Sequence, residues 1–239
     1  MPEVADGRPA DPIYKSLYRL GGVAAWIVAF LTMAEVVAFA LFPPPSTIRG
    51  WFTLFQAQPI VGLVDFWGLE IPMYAMFAVV FLALYVALRE VDAGGMAIAL
   101  ALVLIGVAVF FATNNPFSMF SLSRQFAAAT TDARRAALLA AGEALLANTG
   151  QRAVGGFNIG LLLVSVAGLI VSSVMRSAPA FRRSTAYVGI LAFGLSLADY
   201  VRQAFTSSAV IALLVILPGA LLLVLWFVLV GRRLHHLLD

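Results

Sequence analysis

The stretch LGGVAAWIVAFLTMAEVVAFALF, residues 20–42, decides the class of this protein. Only Thr32 and Glu35 interrupt its apolar side chains. The run ends at three consecutive prolines, residues 43–45, which cannot continue a helix. Because about 20 apolar residues suffice for a helix to cross the hydrocarbon layer of a bilayer, we predict a membrane-spanning helix over residues 20–42.

The composition of the whole chain supports the same class. Of its 239 residues, 62% are hydrophobic and 11% are charged, and the mean hydropathy is +0.99. A soluble domain carries about 25% charged residues, so a soluble enzyme is excluded. A nucleic-acid-binding protein is excluded as well, because the net charge is only +3 and the basic residues form no continuous stripe. The lack of cysteine excludes disulfides and thiolate metal sites.

The apolar runs predict an all-α fold, a polytopic membrane helical bundle with six transmembrane helices in one domain, residues 1–239. The predicted spans are residues 20–42, 60–88, 96–113, 154–175, 186–205 and 208–230. The second span carries Asp65, Glu70 and Pro72 in its first half and exceeds one membrane thickness, so we expect it to be tilted or kinked.

Two amphipathic segments are predicted to lie on the membrane surface. Ser46 is expected to cap a short helix with four apolar side chains at helical spacing, namely Ile48, Trp51, Phe52 and Phe55. The second segment is an amphipathic helical hairpin, residues 115–151, between the third and fourth spans; Asn115 and Pro116 signal its start. Its later half divides into opposite faces: Leu138, Leu139, Leu145 and Leu146 against Arg134, Arg135 and Glu143.

Basic residues in the termini and short connections predict the orientation. Most of them fall on the side of the termini: Arg8, Lys15, Arg19, Arg89, Arg176, Arg182, Arg183, Arg232 and Arg233. Only Arg49 and Arg202 oppose them in short connections. By the positive-inside rule, both termini are cytoplasmic and the hairpin lies on the outer face.

Polar side chains inside the spans are the candidate ligand-binding residues. A charge at the centre of a membrane helix costs about 2.5 to 3.5 kcal/mol, so we expect Glu35 to face the bundle. Glu70 and Tyr74 lie one turn apart on the second span. Asp65 belongs to the same outer half, either in the pocket or at the interface.

The fifth span carries one polar helix face, formed by Ser196, Asp199, Gln203 and Thr206, with Arg202 beside it. Asp199 and Arg202 are three residues apart and can neutralise one another. Two interpretations stay open. Either these groups form an outer-half pocket whose carboxylates contact a cation, proton or headgroup while Arg202 holds an anion, or they are satisfied interhelical hydrogen bonds and ion pairs.

No catalytic residue, metal ligand or cofactor is predicted. The only histidines, His235 and His236, follow the last span, where we expect a solvated tail. Lys15, the only lysine, precedes the first span, which excludes an intramembrane Schiff base. The serines of the spans have no histidine or lysine at membrane depth to activate them, so a non-enzymatic protein is favoured.

The chain resembles the bacterial multi-pass membrane proteins grouped as domain of unknown function 4386. The resemblance rests on Tyr18-Arg19-Leu20-Gly21-Gly22, on Met175 followed by Phe181-Arg182-Arg183 and Gly189, and on Gly231-Arg232-Arg233 after the last span. It implies a plasma-membrane protein of six or seven helices and supplies no catalytic residues.

Two functions follow as hypotheses. The first is a protein of the bacterial inner membrane that binds or moves a small amphiphile, lipid or ion through the outer-half pocket. The residues predicted to line it are Glu35, Glu70, Tyr74, Asp199, Arg202 and Gln203. The alternative is an accessory subunit that packs against a membrane-protein partner through the apolar faces of the third or sixth span. In both cases the lipid bilayer is a partner and nucleic acid is not.

Overall fold

The computed structural model describes residues 14–149, 158–205 and 209–238, and within these ranges it contains helices and no strand. The helices are α1 (Lys15–Leu41), α2 (Ile48–Ala57), α3 (Pro59–Leu63), α4 (Glu70–Leu88), α5 (Ala93–Thr113), α6 (Pro116–Ala128), α7 (Asp132–Asn148), α8 (Ile159–Met175), α9 (Arg183–Phe205) and α10 (Ala209–His236). The all-α class is confirmed for this part of the chain.

Five helical stretches of the described ranges are long and apolar enough to cross a membrane: Lys15–Leu41, Pro59–Leu88, Ala93–Ala128, Arg183–Gln203 and Val210–His236. The helix α8 is also apolar, but its 17 residues reach only about 26 Å at 1.5 Å per residue. The predicted starts of the fourth and sixth spans, residues 154–157 and 208, lie outside the described residues. The membrane class is therefore supported, and the count of six spans stays a prediction.

The chain divides into two compact units, which are described separately. Unit 1 comprises Met1–Met33, Met73–Val107 and Leu162–Asp239, and unit 2 comprises Ala34–Pro72 and Ala108–Leu161. The core of unit 1 is aromatic. Trp226 is fully buried and meets the rings of Phe193 and Phe227 edge-on, at centroid distances of 5.0 and 4.9 Å.

Glycines let α1 approach its neighbours closely in unit 1. A Cβ atom on Gly21 would lie 2.4 Å from the Cβ of Ala83. Beside Gly22 lies the ring of His235, which stacks on Trp26 at 4.7 Å with an interplanar angle of 4°. The prediction of a solvated tail is therefore wrong for His235. The helix α10 continues past the predicted end of the span, and its last turn packs on α1.

Unit 2 is built around an aromatic cluster formed by Ile48, Trp51, Phe52, Phe55, Phe66, Met119 and Leu146. The predicted helical spacing of the α2 residues is confirmed, but their partners are protein side chains rather than lipid. The N-cap of α2 is Thr47 instead of Ser46, and its hydroxyl accepts a hydrogen bond from the Gly50 N–H at 3.2 Å.

The helices α6 and α7 cover this cluster. Asn115 caps α6 as predicted, accepting a hydrogen bond from the Phe117 N–H at 3.0 Å. The predicted faces of α7 are confirmed, since Leu138 and Leu146 are buried whereas its charged residues are exposed. A Cβ on Gly142 would lie 2.3 Å from Cδ1 of Ile48, so α7 packs directly on α2. Their position as a hairpin on the outer membrane surface stays a prediction.

The predicted kink in the second span is confirmed. A π-helical turn, Val64–Gly68, separates α3 from α4. Trp67 has a left-handed backbone with φ 65°, which is rare for a bulky residue. A Cβ on Gly68 would lie 2.2 Å from the Leu63 carbonyl oxygen, so only glycine fits there. Asp65 lies in this turn and is buried inside unit 2.

The close approach of α1 and α4 is tested by Gly21→Ala. The added Cβ meets Ala83, which cannot move without its backbone, so we expect a loss of about 1 to 3 kcal/mol, the usual cost of overpacking. The matched control is Gly194→Ala in α9, where a Cβ meets nothing within 4 Å. It is expected to keep or raise stability, because alanine favours helix over glycine. Thermal unfolding in detergent measures both, and equal behaviour of the two variants would contradict the packing.

Candidate functional site

Three acidic side chains of unit 2, Glu35, Asp65 and Glu70, form a group that we call the carboxyl cluster. Glu35 lies on α1, Asp65 in the π-helical turn and Glu70 at the first residue of α4. The carboxyl groups of Glu35 and Glu70 are hydrogen-bonded to one another, and Asp65 is near enough to interact electrostatically with Glu70. The structure thus brings together two predicted site residues from helices far apart in the chain.

The contact between Glu35 and Glu70 requires a proton. An ionised carboxylate can only accept hydrogen bonds, so one partner must carry the hydrogen that the other accepts. The pair is therefore at most singly ionised while this hydrogen bond is present.

Asp65 has no such partner. It is 3% exposed, and neither of its carboxyl oxygens has a hydrogen-bond partner in the structure. One oxygen of Glu70, Oε2, and the indole Nε1 of Trp67 are also buried and without a partner. Buried polar groups are almost always hydrogen-bonded, because desolvating one without compensation costs several kcal/mol. Four buried polar atoms at and beside the cluster therefore lack the compensation that burial requires.

Aromatic side chains surround the cluster. Phe66 is fully buried and meets Trp51 edge-on at 5.0 Å, and Trp67 meets Phe110 edge-on at 6.0 Å. The described arginines of this unit, Arg49, Arg124, Arg134 and Arg135, are all exposed. None of them forms an ion pair with Asp65, and the ion pair found in this unit joins Arg135 to Asp132. The site is thus acidic, and among the described residues no basic side chain forms an ion pair with Asp65.

The polar group of α9, in unit 1, is closed on itself. The Arg202 Nε donates to Oδ1 of Asp199 at 2.7 Å, and the Gln203 amide donates to Oδ2 at 3.0 Å. Ser196 donates to the Ala192 carbonyl at 3.1 Å, and Thr206 lies outside the described residues. Both oxygens of the buried Asp199 are satisfied within one helix, so the interpretation as satisfied polar contacts fits this group.

Tyr74, the remaining candidate, belongs to unit 1. It is buried and meets Phe77 edge-on at 5.3 Å. A single pocket that joins Tyr74 and the α9 group to the carboxyl cluster stays a prediction.

A divalent metal does not fit the carboxyl cluster. Across the described ranges, no three or more histidine, aspartate or glutamate side chains are arranged to hold a metal ion. Mg²⁺ and Ca²⁺ require several oxygen ligands at short, regular distances.

Sequence reasoning missed the importance of Asp65 and Trp67. From the sequence alone, Asp65 could equally lie at the membrane interface. Its burial results from the π-helical turn, which its position in the apolar run does not predict. For Trp67 the only signal was the glycine that follows it.

No protein-family model, curated protein or solved structure matches this chain. The resemblance to domain of unknown function 4386 therefore stays a prediction.

The two acidic groups should respond in opposite ways to the same isosteric change. Asp199→Asn leaves the buried Arg202 without its counter-charge, and we expect a loss of about 3 to 5 kcal/mol, as for other broken buried pairs. Asp65→Asn removes a carboxyl that has no partner, so we expect stability to stay the same or to rise. Thermal and denaturant unfolding in detergent measure both. A destabilised Asp65→Asn variant would mean that Asp65 has a structural role.

Proposed function

We propose that the chain is a six-span membrane protein that binds a small cationic amphiphile at the carboxyl cluster and exchanges it for a proton. The observation that carries the proposal is Asp65, a buried carboxyl whose two oxygens have no partner. A carboxylate in this position requires a neutralising species, and a cation from outside the protein supplies it.

The surroundings of the cluster favour an organic cation over a bare ion. The faces of tryptophan and phenylalanine attract cations, and this attraction strengthens when water is excluded. Phe66 and Trp67 directly follow Asp65 in the same turn, and Trp51 meets Phe66 edge-on at 5.0 Å. An apolar cation can pair with the carboxylate and also pack on the aromatic surface. A hydrated inorganic ion would have to exchange its water ligands for only a few oxygen ligands from the protein.

The proton shared by Glu35 and Glu70 makes the exchange electroneutral. When a cation approaches, the cluster can release this proton and keep its total charge unchanged. Proton and cation then compete for one site, so affinity should rise with pH. Transport follows if the cluster opens in turn to the two sides of the membrane.

The proposed placement is a bacterial inner membrane with both termini in the cytoplasm and the cluster in the outer half. It is supported by the concentration of arginines on the side of the termini, which the positive-inside rule assigns to the cytoplasm. In this arrangement α8 is the fourth span.

Topology is testable by single-cysteine labelling, because the chain has no cysteine of its own. Ser46→Cys and Ser177→Cys place one exposed thiol before α2 and one after α8. With six spans, a membrane-impermeant thiol reagent applied to intact cells should label the first and not the second. If α8 does not cross the membrane, both positions lie on the same side and both are labelled.

Cation binding is tested with the purified full-length protein and tetraphenylphosphonium. We expect binding that strengthens with pH and releases a proton in weak buffer. Asp65→Asn should weaken it at least about tenfold, because a buried carboxyl with neither oxygen hydrogen-bonded is lost. Glu70→Gln should abolish proton release.

The matched controls are Glu143→Gln and Asp132→Asn, which remove exposed carboxylates of α7 in the same unit. They should bind as the wild type does. Equal binding by Asp65→Asn and the wild type would reject the carboxyl cluster as the cation site.

The accessory-subunit hypothesis depends on a different property. Leucines on α10 such as Leu213 and Leu214 are 61% and 70% exposed, a surface that either lipid or a partner helix can cover. A stoichiometric protein partner purified from native membranes would favour this alternative.

A further inference from the structure

A second cavity of interest lies in unit 1, where the connection from α8 to α9 meets the last turns of α10. Its volume is about 600 Å³, within the range of small-molecule sites. Arg182, Arg232, Arg233 and His236 line it, and none of its lining residues is acidic. We call this cavity the basic pocket. It shares no residue with the carboxyl cluster, and its function does not depend on the function proposed there.

Among the described residues, no ion pair is found for the guanidinium groups of the basic pocket; the ion pairs found there join Arg135 to Asp132 and Arg202 to Asp199. Arg182 and Arg232 are exposed and line the cavity. Arg233 donates its Nε to the Ala180 carbonyl, which fixes the side chain against the connection. An arginine has five N–H donors, so one bond to a carbonyl leaves several for a ligand.

The backbone adds to the positive potential. The helix α9 begins at Arg183, and Thr185 of its first turn lines the pocket. The Thr185 N–H already donates to the Arg182 carbonyl at 3.0 Å, so this helix start contributes through its dipole, which favours an anion at this end. Several guanidiniums and a helix start around one cavity are suited to the oxygens of a phosphate group, since arginine pairs with phosphate through two parallel hydrogen bonds.

The walls of the pocket change from polar to apolar. Phe181 is buried and Leu229, next to the arginines on α10, lies among the apolar residues of its candidate span. The basic side chains of α10 lie in the last turns of this candidate span, where we expect the lipid headgroups. Basic pockets between helices at this depth bind anionic lipid headgroups on the cytoplasmic side.

From this arrangement we propose that the basic pocket binds a phosphate group, carried either by an anionic phospholipid or by a free phosphate. The arginines act as paired hydrogen-bond donors rather than only as topology signals. A topology signal requires charge in the loop but no cavity, no fixed arginine and no helix start.

The test uses the full-length protein in mixed micelles of phosphatidylglycerol and phosphatidylcholine, with retained lipid measured by native mass spectrometry. Inorganic phosphate is titrated in a second arm by calorimetry. The variant Arg182→Gln/Arg232→Gln removes two exposed guanidiniums of the pocket. The matched control, Arg176→Gln, removes an exposed arginine of the same connection that does not line the pocket.

We expect the wild type and Arg176→Gln to retain phosphatidylglycerol in preference to phosphatidylcholine. The double variant should lose affinity by about tenfold or more, since charge-assisted hydrogen bonds are lost. If the double variant loses affinity for the lipid only, the source of the phosphate is a lipid headgroup. If it loses affinity for inorganic phosphate in parallel, the source is a free phosphate.

The variant Arg182→Lys/Arg232→Lys is the control for misfolding. It keeps both positive charges and should bind more tightly than the glutamine variant. The proposal is overturned if the wild type shows neither lipid preference nor phosphate binding. It is also overturned if the glutamine double variant binds as the wild type does. The same holds if Arg176→Gln loses as much affinity as the glutamine double variant.

Discussion

A carboxyl group that lies within a membrane must be neutralised inside the protein, because lipid supplies neither water nor counter-ions. The described structure meets this constraint at two places and leaves it unmet at a third. Asp199 is neutralised by Arg202 on its own helix, at 2.7 Å. Glu35 and Glu70 share a hydrogen bond between their carboxyl groups, which requires a proton. Asp65 is buried, and neither of its oxygens has a hydrogen-bond partner. In the proposed function, the second group releases the proton and the third binds the cation.

The rest of unit 2 serves to keep Asp65 in this position. The π-helical turn and the left-handed Trp67 direct the chain inward, and Gly68 permits the close approach to Leu63 that the turn requires. The aromatic cluster then covers the turn, with α6 and α7 packed on α2. Backbone strain and unpartnered polar atoms both reduce stability, and they concentrate at functional sites when the surrounding packing is strong enough to hold them.

The sequence predicts much of the architecture because the membrane imposes long apolar runs. It also predicts the Asp199 and Arg202 pair, since residues three apart in one helix are neighbours whatever the tertiary structure. The contact of Glu35 with Glu70 joins two helices and has no local signal. The apolar face of α2 was predicted to lie at the membrane interface but is covered by protein side chains, because spacing shows that a face is apolar but not what covers it. His235 was misplaced for the same reason, since its stacking on Trp26 depends on how α10 meets α1.

The central claim is that a cation displaces a proton from the carboxyl cluster. Infrared difference spectroscopy on the reconstituted protein measures this directly, through the carbonyl stretch of a protonated carboxyl. Adding tetraphenylphosphonium should remove one such band in the wild type and in Glu143→Gln, and washing should restore it. In Glu70→Gln the band should be absent from the difference spectrum. A cation that binds while the carboxyl bands stay unchanged would contradict the account.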